Sequence, residues 1–69
     1  MTNPSANPAR RLDTERDAAA YLNVSQRTLQ AWRLRGGGPE YVKLGGAIRY
    51  DRDALDRFIA QCTRANTAA

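Results

Sequence analysis

Two short helical patterns, joined by a three-residue corner, constrain the fold of this chain more than any other feature. The first pattern spans residues 14–22 and the second spans residues 26–35, where three consecutive glycines end it. Two helices joined by so short a turn must cross, as they do when a second helix is presented to the DNA major groove. The spacing therefore predicts a helix-turn-helix.

Residues suited to capping mark the ends of both helices. Thr14 is a good N-cap for the first helix, and Asn23 suits its C-terminus because asparagine tolerates the left-handed conformation. Ser25 is the residue suited to cap the second helix. Leu29 and Trp32 share one side of that helix, which we expect to be buried.

A short β-hairpin is predicted after the glycines, because residues 41–50 alternate apolar and polar side chains. The length of its turn fixes the register of the strands. A two-residue turn at 45–46 would leave Val42 and Ile48 on opposite faces. A three-residue loop at 45–47 places both on the core face, and this is the register that we expect.

Positive charge is concentrated on the second helix and the hairpin. Between residues 26 and 49 five basic side chains stand against one acid, Glu40. The expected register also sets Lys43 across from Arg49, where two like charges repel each other unless an anion such as a phosphate lies between them. Such focusing is typical of a polyanion binder. The alternative is a solvated surface with an ordinary arginine bias.

A third helix, from Arg52 to about Gln61, is expected to close the core. Asp51 is suited to cap it, and Leu55, Phe58 and Ile59 recur at helical spacing. The fold class predicted is mostly α with a small β-hairpin, a winged helix-turn-helix. We expect this domain to span residues 10–62, between disordered tails at 1–9 and 63–69.

Composition excludes several classes of function. The chain has 69 residues, no histidine and a single cysteine, Cys62, to which no role is assigned. We expect no catalytic residues, no metal site and no cofactor, because no nucleophile with its base can be assembled. No apolar run approaches a membrane span or a signal peptide. A cytoplasmic protein with no membrane partner is the expectation, and an enzyme is the least supported reading.

Double-stranded DNA is the partner that these features favour. Arginine and glutamine on the first turns of a recognition helix can read guanine and adenine. The candidate base-reading residues are Gln26, Arg27, Gln30 and Ala31. The candidate phosphate-contacting residues are Ser25, Thr28, Arg33, Arg35, Lys43, Gly45, Gly46 and Arg49. A protein-interaction adaptor or antitoxin-like module is an alternative, which predicts binding that survives removal of these charges.

The segments 18–33 and 37–50 together carry a family resemblance. The first, AAAYLNVSQRTLQAWR, resembles the MerR-like helix-turn-helix of phage excisionases and AlpA-type prophage regulators. The second, GGPEYVKLGGAIRY, resembles the wing of the same proteins. Because the sequence stops soon after the third helix, we expect it to lack the dimerising coiled coil and the effector domain of full-length MerR regulators, and we expect no small-molecule effector.

The resemblance implies a recombination directionality factor of a phage or integrative element. Such proteins bind neighbouring sites beside a recombination core, bend the DNA and favour excision by a partner integrase, a tyrosine or serine recombinase. Self-association on DNA accompanies this role. The alternative that the resemblance leaves open is an AlpA-like transcriptional regulator of a prophage or integrative element.

Overall fold

The structure, a computed structural model, describes residues 11–64. These residues form three helices and a three-stranded antiparallel sheet. The winged helix-turn-helix predicted from the sequence is confirmed. Of the tails expected at 1–9 and 63–69, all residues except Thr63 and Arg64 lie outside the described residues. The elements in chain order are β1 (Leu12–Thr14), α1 (Glu15–Leu22), α2 (Gln26–Arg35), β2 (Val42–Leu44), β3 (Ala47–Asp51) and α3 (Arg52–Cys62).

The predicted caps hold the helix-turn-helix in place. The Thr14 hydroxyl accepts the backbone N–H of Asp17 at 3.1 Å, and Ser25 accepts that of Thr28 at 3.0 Å. Asn23 has the left-handed conformation, with φ of 60°, so its backbone N–H reaches the carbonyls that end α1. Asp51 caps α3 through the N–H of Asp53. These local bonds satisfy helix-end groups that would otherwise lack partners.

The sheet contains a strand that the sequence did not predict. β1 pairs with β3 on one side and β2 pairs with β3 on the other, so the order is β1-β3-β2. Leu12 is a strand residue and 41% exposed. Its neighbour Asp13 pairs with Tyr50 and is buried. The base of the wing is therefore hydrogen-bonded to the residues that lead into α1.

The expected hairpin register is wrong. Leu44 pairs with Ala47 across a two-residue glycine turn, whose first residue, Gly45, has a φ of +62°. A positive φ at this position lets a two-residue turn follow the twist of the strands. Val42 pairs with Arg49 and not with Tyr50.

Lys43 and Arg49 consequently lie on opposite faces of the wing, since Lys43 pairs with Ile48 and successive strand residues alternate in direction. A phosphate held between these two cations is thereby ruled out as a feature of the folded wing. The expected register required apolar side chains from both strands on the core face. The core takes Ile48 and Tyr50 from β3, while Leu44 on β2 stays 50% exposed.

The core lies where α1 and α2 meet the central strand and α3. Its fully buried members are small alanines of α1 and larger residues from the other elements. They are Ala18, Ala19, Leu29, Tyr50 and Leu55, with Leu22, Val24, Trp32 and Ile48 packed against them. Trp32 contacts Phe58 of α3, with ring centroids 5.6 Å apart. Ile59, expected to help close the core, is 41% exposed.

A close approach between the end of α2 and the glycine run gives the first testable prediction. A Cβ added at Gly38 would lie 2.8 Å from the Cβ of Trp32, whereas one added at Gly37 would meet nothing within 4 Å. We expect Gly38→Ala to lower the free energy of unfolding by about 1–3 kcal/mol through overpacking. Gly37→Ala is the matched control and should change it by less than about 0.5 kcal/mol. Urea unfolding followed by circular dichroism measures both, and equal midpoints for the two variants would contradict the prediction.

Candidate nucleic-acid interface

The outer face of α2 carries the side chains that are freest to meet a ligand. Gln26 and Arg27, on its first turn, are exposed, and so is Arg35 at its end. Leu34 is 79% exposed on the same face, while Ala31 is half-buried. Glutamine and arginine at the start of a helix are well placed to reach base edges in the major groove.

Glu15 joins the recognition helix to α1. Its carboxylate accepts the Gln30 amide Nε2 at 3.1 Å and the Arg33 Nε at 3.1 Å, with Arg33 Nη2 at 3.0 Å. Both members of the ion pair are largely buried, with side-chain exposures of 20% for Arg33 and 13% for Glu15. The hydrogen bond that Arg33 donates to Glu15 raises the pKa of Arg33. Gln30 was expected to read bases and Arg33 to contact phosphates, and the structure shows both bound to the same carboxylate.

The Glu15–Arg33 pair also adjoins the wing. The Arg33 guanidinium lies 5.8 Å from the ring centroid of Tyr41, whose ring in turn lies 6.1 Å from that of Tyr50. Tyr50 is buried, and this burial is the main cause that raises the pKa of its hydroxyl. The negative charge of Glu15 raises the same pKa further. Arg33 therefore sits at the junction of α1, α2 and the hairpin, a position suited to fixing their relative placement.

The wing offers one exposed cation and two open glycines. Lys43 is exposed, and a Cβ at Gly45 or Gly46 would meet nothing within 4 Å. Arg49 is half-buried, and its Nη1 donates to the carbonyl of Ile48 at 2.8 Å. Lys43 is the residue of this set that is most available to a phosphate.

Ser25 and Thr28 are occupied at the N-terminus of α2. Besides accepting the Thr28 N–H, the Ser25 hydroxyl lies 2.8 Å from the Thr28 hydroxyl. Capping is the role that these contacts support, and their part in phosphate binding stays a prediction. Both are sequence neighbours of the exposed Gln26 and Arg27 at the start of α2.

A second charged network is centred on Asp13, and no pattern in the sequence indicated it. Asp13, 2% exposed, accepts Arg11 Nε at 3.0 Å and Arg52 Nε at 2.8 Å. The Arg52 guanidinium lies 3.8 Å from the centroid of the Tyr21 ring, and the Tyr21 hydroxyl donates to Asp56. This last bond raises the pKa of Tyr21. The network ties β1, α1 and α3 together and includes no residue of α2.

Residues 11–64 contain neither a metal-binding cluster nor a membrane-spanning helix. No group of three or more histidine, cysteine, aspartate or glutamate side chains is placed to hold a metal ion there. None of the helices in this range is long and apolar enough to cross a membrane. Cys62 is exposed at the end of α3.

Comparison with known proteins agrees with this geometry. A family model described as a helix-turn-helix domain matches residues 14–63, from the cap of α1 to the end of α3. Among curated proteins no sequence gives a significant match. The matched span covers most of the chain and includes both helices of the motif and the wing. The chain therefore belongs to the helix-turn-helix domain family, and its partner is DNA.

Proposed function

We propose that the protein is an excisionase, a recombination directionality factor that binds attachment-site DNA and favours integrase-mediated excision. The matched family includes excisionase-like and AlpA-like proteins. The residues of α2 and the wing described above supply the contacts with DNA. Several copies on neighbouring sites, with the duplex bent between them, complete the proposal.

The observation that carries the proposal is how few side chains are free on the recognition helix. Gln26 and Arg27 are exposed on its first turn, while Gln30 and Arg33 are held by Glu15. A single module of this size buries about 600–1,000 Å² of its surface on DNA. Tight and selective binding therefore needs several copies, whose effects multiply when they occupy adjacent repeats. An accessory factor that shapes DNA for a recombinase fits this requirement.

Within this proposal the contacts divide into two groups. Gln26, Arg27, Gln30 and Ala31 read bases, while Lys43, with the open glycines of the wing beside it, contacts the phosphate backbone. Arg35 and Arg49 extend the phosphate contacts at the end of α2 and on the other face of the wing. The exposure of Arg27 and Lys43 supports this division, as does the separation of the elements that carry them.

An AlpA-like transcriptional regulator is the second candidate. Its support is the same DNA-binding surface, because a promoter repeat and an attachment-site repeat are recognised by the same chemistry. What separates the candidates is the consequence of binding, namely excision with an integrase or a change in promoter activity.

The test combines footprinting with an excision assay that uses purified integrase and attachment-site DNA of the element proposed to carry the gene. We expect several adjacent protected sites on attachment-site DNA, a bend measured by circular permutation, and excision that depends on the protein. Arg27→Ala serves as the binding-deficient control. One isolated protected site with no bend would count against the proposal. Unchanged excision, together with altered activity of the integrase promoter, would favour the regulator.

A further inference from the structure

The contacts of Glu15 assign it a task in recognition, beyond joining two helices. We infer that Glu15 is a positioning residue that orients Gln30 for base reading and withholds Arg33 from the phosphate backbone. This inference rests on the proposed reading of bases by α2. It makes a residue of the first helix a determinant of how strongly the second helix discriminates between sequences.

The first half of the inference follows from the chemistry of the two side chains. An ionised carboxylate only accepts hydrogen bonds, so Gln30 must turn its Nε2 toward Glu15, as the distance of 3.1 Å shows. The amide oxygen and the second N–H remain for another partner. An adjacent acceptor and donor are what the bidentate reading of adenine requires. Glu15 thereby fixes the Gln30 amide in one of its two orientations before DNA is bound.

The second half follows from charge. Arg33 is bound through two nitrogens to Glu15, and its guanidinium also lies against Tyr41. A largely buried, neutralised arginine adds little to sequence-independent attraction for phosphates. Freed from Glu15, the same side chain at the edge of α2 would strengthen binding to any duplex. The acid therefore lowers non-specific affinity while it supports specific recognition.

Glu15→Gln tests the inference, with Asp17→Asn as the matched control. Both changes remove one negative charge from the first turn of α1, but Asp17 is exposed, and within residues 11–64 its carboxylate makes no hydrogen bond or ion pair with α2. Binding of the full chain to attachment-site DNA and to a scrambled duplex is measured over a range of salt concentrations. For Glu15→Gln we expect the preference for the attachment site to fall about tenfold. We expect its salt dependence on the scrambled duplex to steepen by about 0.9 log units for one phosphate gained.

Two further variants separate positioning from a general loss of structure. Arg33→Gln in the Glu15→Gln background should restore the salt dependence of the wild type. Glu15→Asp shortens the reach of the carboxylate to both partners but keeps a negative charge beside Arg33, so it should lower the preference while steepening the salt dependence less than Glu15→Gln does. A destabilised domain would bind every duplex less tightly, which is the opposite of the expected gain on scrambled DNA.

The outcomes distinguish this inference from the proposed function. Identical preference and salt dependence for Glu15→Gln and Asp17→Asn would overturn the role of Glu15. A wild-type protein that does not distinguish the attachment site from the scrambled duplex would instead overturn the proposed function. Loss of preference confined to Glu15→Gln and Glu15→Asp, with Asp17→Asn unchanged, supports the inference.

Discussion

Asp13→Ala is expected to remove most of the stability of the domain. The carboxylate is buried and holds two arginines, Arg11 and Arg52, at 3.0 and 2.8 Å. Without it the two cations face each other beside a cavity, and β1 loses its tie to α3. We expect the free energy of unfolding to fall by about 3 kcal/mol, out of about 5 kcal/mol for a domain of this size.

Urea unfolding followed by circular dichroism measures this loss, and Asp17→Asn provides the comparison. Asp17 is an exposed acid on the first turn of α1, so its neutralisation should cost below about 1 kcal/mol. Similar unfolding midpoints for the two variants would show that the Asp13 network contributes little. DNA binding by Asp13→Ala at a temperature where it is folded should resemble that of the wild type, because the network includes no residue of α2.

Arg27→Ala and Lys43→Ala are expected to damage binding in two different ways. Arg27 is exposed on the first turn of α2, and loss of one bidentate base contact costs about 1–3 kcal/mol of discrimination. Its removal should therefore lower affinity for the attachment site far more than for a scrambled duplex. Lys43 is exposed on the wing, and its removal should weaken binding to both duplexes and flatten the salt dependence by about 0.9 log units.

A salt titration of both variants on both duplexes decides the matter. The separation of base reading from phosphate contact fails if Lys43→Ala changes only sequence preference. It fails equally if Arg27→Ala lowers affinity for both duplexes by the same factor. Arg57→Ala is a suitable control, because Arg57 lies on α3 and pairs at 3.4 Å with the exposed Glu40.

Features set by neighbouring residues were predictable from the sequence. The bounds of α2, the caps at Thr14 and Ser25, and the left-handed Asn23 follow from rules that act within a few residues. The core positions Leu29 and Leu55 follow from helical periodicity. The exposure of Gln26 and Arg27 follows from the same periodicity, although their contacts with DNA stay predictions.

Features set by distant residues were not predictable. β1 inverts the usual pattern, since Leu12 is exposed and the charged Asp13 is buried, so periodicity gave no signal for it. The ion pairs of Asp13 and Glu15 join residues 39 and 18 positions apart in the chain. The hairpin register depended on a competition between turn geometry and burial, in which the two-residue glycine turn prevailed over burial of Leu44.

The central position of β3 sets how this protein can accommodate a duplex. The strand is hydrogen-bonded on both edges, and Tyr50 anchors it in the core, so the base of the wing is held against α1 and α3. In the proposed function, α2 and the wing therefore contact DNA at a separation that is set by the fold. DNA of a different groove width has to deform to fit, at a cost set by the stiffness of its base steps. Flexible pyrimidine–purine steps beside the binding site should therefore raise affinity without being touched.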